Sequence, residues 1–159
     1  LALASELSSI CQKRQILLDI IGVDLMPDVI ELAQSNAERN KLNVQFLQSR
    51  WFENITGRFD LIVSNPPYID AQDEHLRQGD VRFEPLSALV ANDTGYADLR
   101  HIIELASSYL NSNGVLLLEH GWQQGEKVRS IFQENHWEMV ETVRDYGDNE
   151  RVTLGFWKK

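Results

Sequence analysis

The sequence is poor in cysteine and in basic residues, and each shortage excludes a class of protein. A single cysteine, Cys11, allows no internal disulfide and no cysteine-cluster metal site, which indicates a reducing compartment such as the cytoplasm. Lys and Arg number 15 against 24 Asp and Glu, so the formal net charge is −9. This sign disfavours nucleic acid as the main partner, because proteins that bind it neutralise phosphates with basic side chains.

Long apolar runs are also lacking. No run reaches the roughly 18 residues that a membrane helix needs, and residues 1–7 lack the basic flank of a signal peptide and are typical of a helix. With 159 residues, 43% of them hydrophobic, we expect one soluble, cytoplasmic domain over residues 1–159 that acts as a monomer without a membrane partner.

Apolar segments of strand and helix type alternate along the chain. Residues 16–23 predict a buried strand, and Pro27 opens a helix. Further strands are predicted over 44–47, 61–64 and 115–119, helices over 97–110 and 123–134, and a hairpin of 138–144 with 151–157. The order predicts an α/β fold whose mostly parallel sheet carries a C-terminal antiparallel hairpin. The irregular stretch 69–96 is expected to be a lid or part of the substrate site.

Only four prolines occur, and two of them are adjacent in Asn65-Pro66-Pro67-Tyr68, directly after the strand at 61–64. Each proline fixes its own φ and restricts the residue before it, so few orientations remain for the carbonyls of Asn65 and Pro66. The Asn65 side-chain oxygen and a neighbouring carbonyl can accept both N–H groups of a planar NH2 group. Tyr68 can stack on that group or face a cationic methyl donor. The alternative is that the prolines only stiffen a loop.

Asp24 stands at the end of the first predicted strand, where a doubly wound sheet holds ribose hydroxyls. The alternative role for Asp24 is an acid stabilised by the following helix dipole. Trp51 either covers the flat face of an adenine or packs against the protein.

The histidines show no spacing typical of metal ligands, so we predict neither a metal site nor a catalytic histidine. They are His75, His101, His120 and His136.

Five segments together resemble the bacterial peptide chain release factor glutamine methyltransferases, the HemK family. They are residues 22–28, 64–69, 79–86, 117–121 and 144–151. Asn-Pro-Pro-Tyr alone is shared by many amino-group methyltransferases, whereas Arg-Phe-Glu-Pro and Asp-Tyr-Gly-Asp are more specific. The resemblance spans nearly the whole chain and implies the Rossmann-like fold of class I S-adenosylmethionine-dependent methyltransferases.

The resemblance also implies S-adenosylmethionine as the methyl donor. The implied acceptor is the glutamine of the Gly-Gly-Gln motif in class 1 peptide chain release factors. Asp24 is expected to bind the donor's ribose, Trp51 to lie by its adenine, and Asn65 to contact the donor's methionine end and the glutamine. The remaining implied substrate-binding residues are Pro66, Pro67, Tyr68, Glu84 and Pro85, and the expected catalytic residues are Asn65, Pro66 and Tyr68.

The sequence departs from the family pattern at two places. Arg50 replaces an acidic residue that commonly meets the adenine amine, and the first strand and its glycine-rich loop are absent before Leu1. We therefore expect a gap in the sheet between two strands: the one that ends at Asp24 and the one that ends just before Asn65. Two alternatives stay open: a nucleic-acid methyltransferase acting on adenine N6 or guanine N2, and an inactive fragment that lacks the donor loop.

Overall fold

The computed structural model describes residues 1–70, 90–91 and 95–158. The helices are α1 (Ala2–Arg14), α2 (Pro27–Arg39), α3 (Ala97–Ala106) and α4 (Gly125–Glu134). The strands are β1 (Ile21–Asp24), β2 (Gln45–Gln48), β3 (Phe59–Ser64), β4 (Ile69–Asp70), β5 (Val90–Ala91), β6 (Leu110–Glu119), β7 (Glu138–Arg144) and β8 (Glu150–Trp157). The chain divides into two compact units, Leu1–Thr56 and Gly57–Lys159. The single domain over residues 1–159 stays a prediction.

The first unit consists of α1 and a parallel β1–α2–β2 motif. Pro27 occupies the start of α2, where its missing N–H costs nothing, and β1 pairs with β2 so that Asp24 lies opposite Gln48. The carboxyl ends of both strands therefore meet at one edge. Within residues 1–56, all of which the structure describes, the buried hydrophobic residues are Ala4 and Ala37. This unit has a very small core of its own.

The predicted strand over residues 16–23 is wrong in its first half. Gln15 adopts a left-handed conformation that ends α1, and the Ile16 N–H turns back to donate to the Cys11 carbonyl at 2.9 Å. Leu17 is fully exposed, and β1 begins only at Ile21. The apolar character of residues 16 and 17 therefore does not indicate burial within this chain.

The second unit is built on a four-stranded sheet in the order β3-β6-β8-β7. β3 and β6 are parallel, while β8 runs antiparallel to both β6 and β7, as the predicted C-terminal hairpin requires. Apolar side chains of α3, α4 and β6 fill its core: Leu99, Ile102, Ile103, Ala106, Leu116, Leu118, Val128, Ile131 and Phe132. The α/β fold with parallel and antiparallel strands is confirmed.

β6 is longer than predicted because residues 113–114 do not end it. The pairing with β3 moves from Phe59 opposite Leu110 to Leu61 opposite Val115, so the ladder is irregular over this stretch. Asn113 takes the left-handed conformation, with φ of 64°, that such an irregularity needs and that asparagine tolerates well. The helix predicted over 97–110 consists of α3 and a following 3-10 helix, Ser107–Tyr109, and the helix predicted over 123–134 begins at Gly125 as α4.

Strand pairing divides the larger strands into two groups. Among the described residues, β1 pairs only with β2, and β3 pairs only with β6. The gap expected between the strand that ends at Asp24 and the strand that ends before Asn65 stays a prediction. Within the predicted lid, β4 and β5 pair in parallel, whereas Glu84 and Pro85 lie outside the described residues. None of the helices in the described part has the length and apolarity that crossing a membrane requires.

Candidate functional site

Asp24 lies at the carboxyl end of β1 and is held there by its own turn. Its Oδ1 accepts the Met26 N–H at 2.9 Å, just before α2 begins. The other carboxylate oxygen, Oδ2, has no hydrogen-bond partner among the residues that the structure describes. Asp24 therefore organises the entry to α2 with one oxygen and leaves the second for a ligand hydroxyl, so its local role and its predicted ribose-binding role are compatible.

Trp51 lies in a tight turn that Ser49 fastens to the same strand edge. The Ser49 N–H donates to the Asp24 carbonyl at 2.9 Å, and the Ser49 hydroxyl donates to the Trp51 carbonyl and accepts the Asn54 N–H, both at 3.0 Å. Trp51 has a φ of 51°, which costs a residue with a side chain about 1–2 kcal/mol. Ser49, buried and missed by the sequence reasoning, holds Trp51 in this strained position beside Asp24.

The segment Asn65-Pro66-Pro67-Tyr68, called the proline corner below, connects β3 to β4. Asn65 is exposed, and its side chain makes no hydrogen bond within the described ranges. Pro66, by contrast, is fully buried. The corner therefore presents a free amide on a backbone that two prolines and a buried ring keep rigid.

Tyr68 ends the corner and faces the last residue of β6. Its hydroxyl donates to Glu119 Oε1 at 3.4 Å, a long hydrogen bond. Burial raises the pKa of the Tyr68 phenol, the negative charge of Glu119 raises it further, and Arg151 opposes the shift. Tyr68 is thus a neutral hydrogen-bond donor near neutral pH and not a general base.

The carbonyl of Tyr68 is held by Gln124, which the sequence reasoning also missed. Gln124 Nε2 donates to this carbonyl at 3.0 Å, and Gln124 Oε1 accepts the Gly121 N–H at 2.8 Å. Gly95 lies against the same two groups: a Cβ there would collide with the Tyr68 carbonyl oxygen and lie 3.0 Å from Gln124 Nε2. The end of the corner is thereby joined to the loop between β6 and α4.

Behind this loop, a chain of hydrogen bonds leads from α4 to His120. Arg129 donates to the Thr142 hydroxyl at 2.7 Å, Thr142 and Thr153 share a hydrogen bond of 2.8 Å, and Thr153 lies 2.8 Å from His120 Nε2. His120 Nδ1 is 2.9 Å from the Gly121 carbonyl.

The donors in this chain follow from its carbonyl end. The Gly121 carbonyl only accepts, so the proton of the neutral imidazole lies on Nδ1, Thr153 donates to Nε2, and Thr142 donates to Thr153. Burial lowers the pKa of His120, which favours this neutral form, although the Gly121 carbonyl and Glu150 act in the opposite direction. His120 is fully buried, so it has a structural role at this position.

The structure places the predicted residues in two groups. Asp24 and Trp51 share one strand edge of the first unit, whereas Asn65, Pro66, Pro67 and Tyr68 form the proline corner of the second. No group of three or more metal-ligand side chains occurs in the part of the chain that the structure describes.

Comparison with known proteins identifies the family. A family model described as a methyltransferase domain matches residues 2–153. The chain is 91% identical to the release factor glutamine methyltransferase of Haemophilus influenzae over 159 residues, which is 100% of this chain and 54% of the relative. It is 62% identical to the enzyme of the same name from Escherichia coli over 139 residues, 86% of this chain and 50% of the relative. The resemblance inferred from the motifs is confirmed.

Solved structures support the same fold. A methyltransferase from Pyrococcus furiosus superposes with a TM-score of 0.69 at 17% identity, covering 98% of this chain and 70% of that one. The S-adenosylmethionine-dependent methyltransferase SibL gives 0.58 at 12% identity, covering 89% and 44%. This chain spans about half the length of the curated relatives it matches. It belongs to the methyltransferase domain family and has the fold of the class I S-adenosylmethionine-dependent enzymes.

Proposed function

We propose that this chain forms the catalytic part of a protein-glutamine N5-methyltransferase that acts on the Gly-Gly-Gln motif of class 1 peptide chain release factors. The observation that carries the proposal is the exposed Asn65 amide, without an intramolecular partner in the described ranges, on a corner whose two ends are fixed. The names of relatives up to 91% identical support the glutamine specificity. A cytoplasmic location and a monomeric state belong to the same proposal.

The first unit fits the donor. Asp24 Oδ2 suits a ribose hydroxyl, and the strained position of Trp51 at the same edge suits an adenine ring. Arg50 is exposed at this edge and lacks the acceptor that an acidic residue offers to the adenine amine. When bound, S-adenosylmethionine supplies a methyl group already activated by its sulfonium charge. The main task left to the protein is positioning.

The proline corner performs the positioning. An amide nitrogen is a poor nucleophile because its lone pair is delocalised into the carbonyl, so its orientation matters. The Asn65 side-chain oxygen and the Pro66 carbonyl accept the two N–H groups of the substrate glutamine. The Tyr68 carbonyl is already engaged by Gln124, which favours acceptors earlier in the corner. These acceptors also favour the positive charge that develops on the nitrogen during the reaction.

No general base is part of the proposal. The Tyr68 phenol keeps its proton because its pKa is raised, and its hydrogen already points to Glu119. The proton that the substrate nitrogen loses passes to water or to a nearby carbonyl. This explains why the corner contains no histidine.

A methylation assay tests the proposal directly. The full-length Haemophilus influenzae relative is incubated with labelled S-adenosylmethionine and with release factor, tRNA or DNA. We expect label only in the release factor, and none when its Gly-Gly-Gln glutamine is changed to alanine. Label in tRNA or DNA instead would contradict the proposal and favour the nucleic-acid methyltransferase. Calorimetry with S-adenosylmethionine on this chain separates a competent domain from an inactive fragment.

A further inference from the structure

We propose that Gln124 is a positioning residue of the reaction, which acts by fixing the peptide group at the end of the proline corner. This inference rests on the proposed function, because it assigns to Gln124 an effect on the same site. Gln124 lies 56 residues from Tyr68 in the sequence and is only 9% exposed. It touches the corner through the backbone of Tyr68.

The orientation of the Gln124 amide is determined by its partners. The Gly121 N–H can only donate and the Tyr68 carbonyl can only accept, so Oε1 faces Gly121 and Nε2 faces Tyr68. The Gln124 backbone N–H also donates to the Gly121 carbonyl at 2.9 Å, which closes a turn and leaves the side chain little freedom. Glutamine thus supplies the acceptor and the donor that these two partners need.

The surroundings hold this bridge in place. Gly95, with a φ of 87°, lies so close to the Tyr68 carbonyl and Gln124 Nε2 that a side chain at residue 95 has no room. On the other side, Gly125 lies against Glu150 Oε2, where a Cβ would collide with the carboxylate. Glu150 itself pairs with Arg129 at 3.1 Å. The loop that carries Gln124 is therefore anchored independently of the corner.

The hydrogen bond from Gln124 to the Tyr68 carbonyl removes the main conformational freedom that the proline corner still has. At its beginning, Ser64 is paired with Leu118 in the β3–β6 ladder, and the two prolines restrict φ and ψ between the ends. At its end, the Gln124 bridge sets the direction of the Tyr68 carbonyl. Asn65 thus lies between two fixed points, and without the bridge its amide position becomes variable. A displacement of about 1 Å at a reacting group can lower a rate by about 10²-fold.

The test uses Gln124→Ala and Gln124→Glu in the full-length Haemophilus influenzae relative carrying this chain's sequence over its matched segment, with Gln123→Ala as the matched control. Gln123 is the exposed neighbour and makes no hydrogen bond in the described part of the chain. We expect Gln124→Ala to lower kcat for release factor methylation by about 10-fold or more, with S-adenosylmethionine affinity within about twofold of wild type. Gln123→Ala should leave both values unchanged.

Gln124→Glu provides a readout that a merely structural role does not move. The ionised carboxylate can still accept from Gly121 but repels the Tyr68 carbonyl, whereas the protonated carboxyl can donate to it. Burial at this position and the facing Tyr68 carbonyl should raise the pKa of the introduced carboxyl. The ratio of Gln124→Glu to wild-type kcat should therefore rise as pH falls from about 8 to about 5, and the ratio for Gln124→Ala should stay flat. The charged and titratable groups that face the loop are the same residues in all variants, so the ratio to wild type at each pH removes the part of the profile that the proteins share: Tyr68, Glu119, His120, Arg129, Glu150 and Arg151.

Two results overturn the inference: a kcat for Gln124→Ala within twofold of wild type, or a pH-independent ratio for Gln124→Glu. NMR of the labelled chain separates this failure from failure of the proposed function. Slow exchange of the Gly121 amide and a resolved Gln124 NH2 signal, both lost in Gln124→Ala, demonstrate the bridge without any methylation. If the bridge is present but no protein methylates release factor, the proposed function fails and the bridge stands.

Discussion

Residue 95 shows how strongly one position can depend on the absence of a side chain. Its φ of 87° lies in the left-handed region, and a Cβ there would collide with the Tyr68 carbonyl. Gly57 offers a comparison, because its φ of 91° is similar but no atom of the described residues lies within 4 Å of its hypothetical Cβ. Substitutions at these two glycines therefore distinguish the cost of backbone strain from the cost of a steric collision.

We expect Gly57→Ala to lower the free energy of unfolding by about 1 kcal/mol, the strain alone. Gly95→Ala should lower it by about 2–4 kcal/mol, because the collision adds to the strain. Chemical denaturation of both variants beside wild type measures the difference. Equal losses would show that the Tyr68 carbonyl can move away at little cost.

Asn65 represents the opposite case, an exposed side chain whose loss should not affect folding. Asn65→Ala in the full-length relative should lower turnover with release factor by about 10²-fold or more, because one preorganised electrostatic partner is removed. Its unfolding midpoint should stay within about 1 °C of wild type, since Asn65 has no partner in the described ranges to lose. Near-normal methylation would refute its role.

At the scale of elements, the C-terminal hairpin organises the buried polar chain to His120. Thr142 of β7 lies opposite Thr153 of β8, so the strand register itself creates the central hydrogen bond. The hairpin turn is held by Asp145, whose Oδ1 accepts the N–H groups of Gly147 and Asn149 at 2.8 and 3.0 Å. The Asn149 N–H is the main cause of the lowered pKa of Asp145.

The burial of His120 predicts a pH dependence of stability. Its pKa in the folded protein lies below the 6.5 of an unperturbed histidine, mainly because burial disfavours the charged ring. The unfolded chain thus binds a proton more readily, so this stability is complete above about pH 6.5 and is lost as pH falls below it. Asp145 contributes to stability in a separate pH range. Because its pKa is lowered in the folded protein, this contribution is lost only below about pH 3.8.

Thermal unfolding between pH 8 and pH 5 measures this dependence. The midpoint should fall with pH in wild type and in the control His101→Gln, whose histidine is exposed on α3. In His120→Gln the midpoint should be lower at pH 8 and should change less between pH 6.5 and pH 5. An equal fall in all three proteins would exclude His120 as the cause.

Sequence patterns predicted the elements and the corner because their signals are local. Pro27 starts a helix, the adjacent prolines mark a rigid corner, and residues 145–149 form a turn, each through the conformation of a few neighbouring residues. Ser49, Gln124 and Gly95 were missed because their importance comes from partners distant in sequence. The partner of Gln124 is 56 residues away, so no spacing indicates it before the fold is known.

At the scale of the whole molecule, the two units differ in how much apolar surface they bury. The second unit buries the large side chains of α3, α4 and β6, whereas residues 1–56 bury two alanines among hydrophobic residues. Ten larger apolar residues of this first unit remain exposed: Leu1, Leu3, Ile10, Ile16, Leu17, Val23, Leu25, Met26, Val29 and Leu32. Local stability follows buried apolar area, so it should differ strongly between the units.

Hydrogen exchange measured by mass spectrometry should reveal this difference in the isolated 159-residue chain. Amides of β1, β2 and α2 should exchange at least about 10²-fold faster than those of β6 and β8. In the full-length relative, the protection of the first unit should rise. Equal protection of both units in the isolated chain would contradict the expected weakness.

The polarity of the His120 chain has one more consequence. The Gly121 carbonyl can only accept, so with a neutral imidazole both threonine hydroxyls donate in a single direction, towards His120. Placing a proton on Nε2 would require the Thr153 hydroxyl to turn away from the ring. The buried imidazole therefore connects the hairpin, through Thr153, to the loop that bears Gln124, through the Gly121 carbonyl.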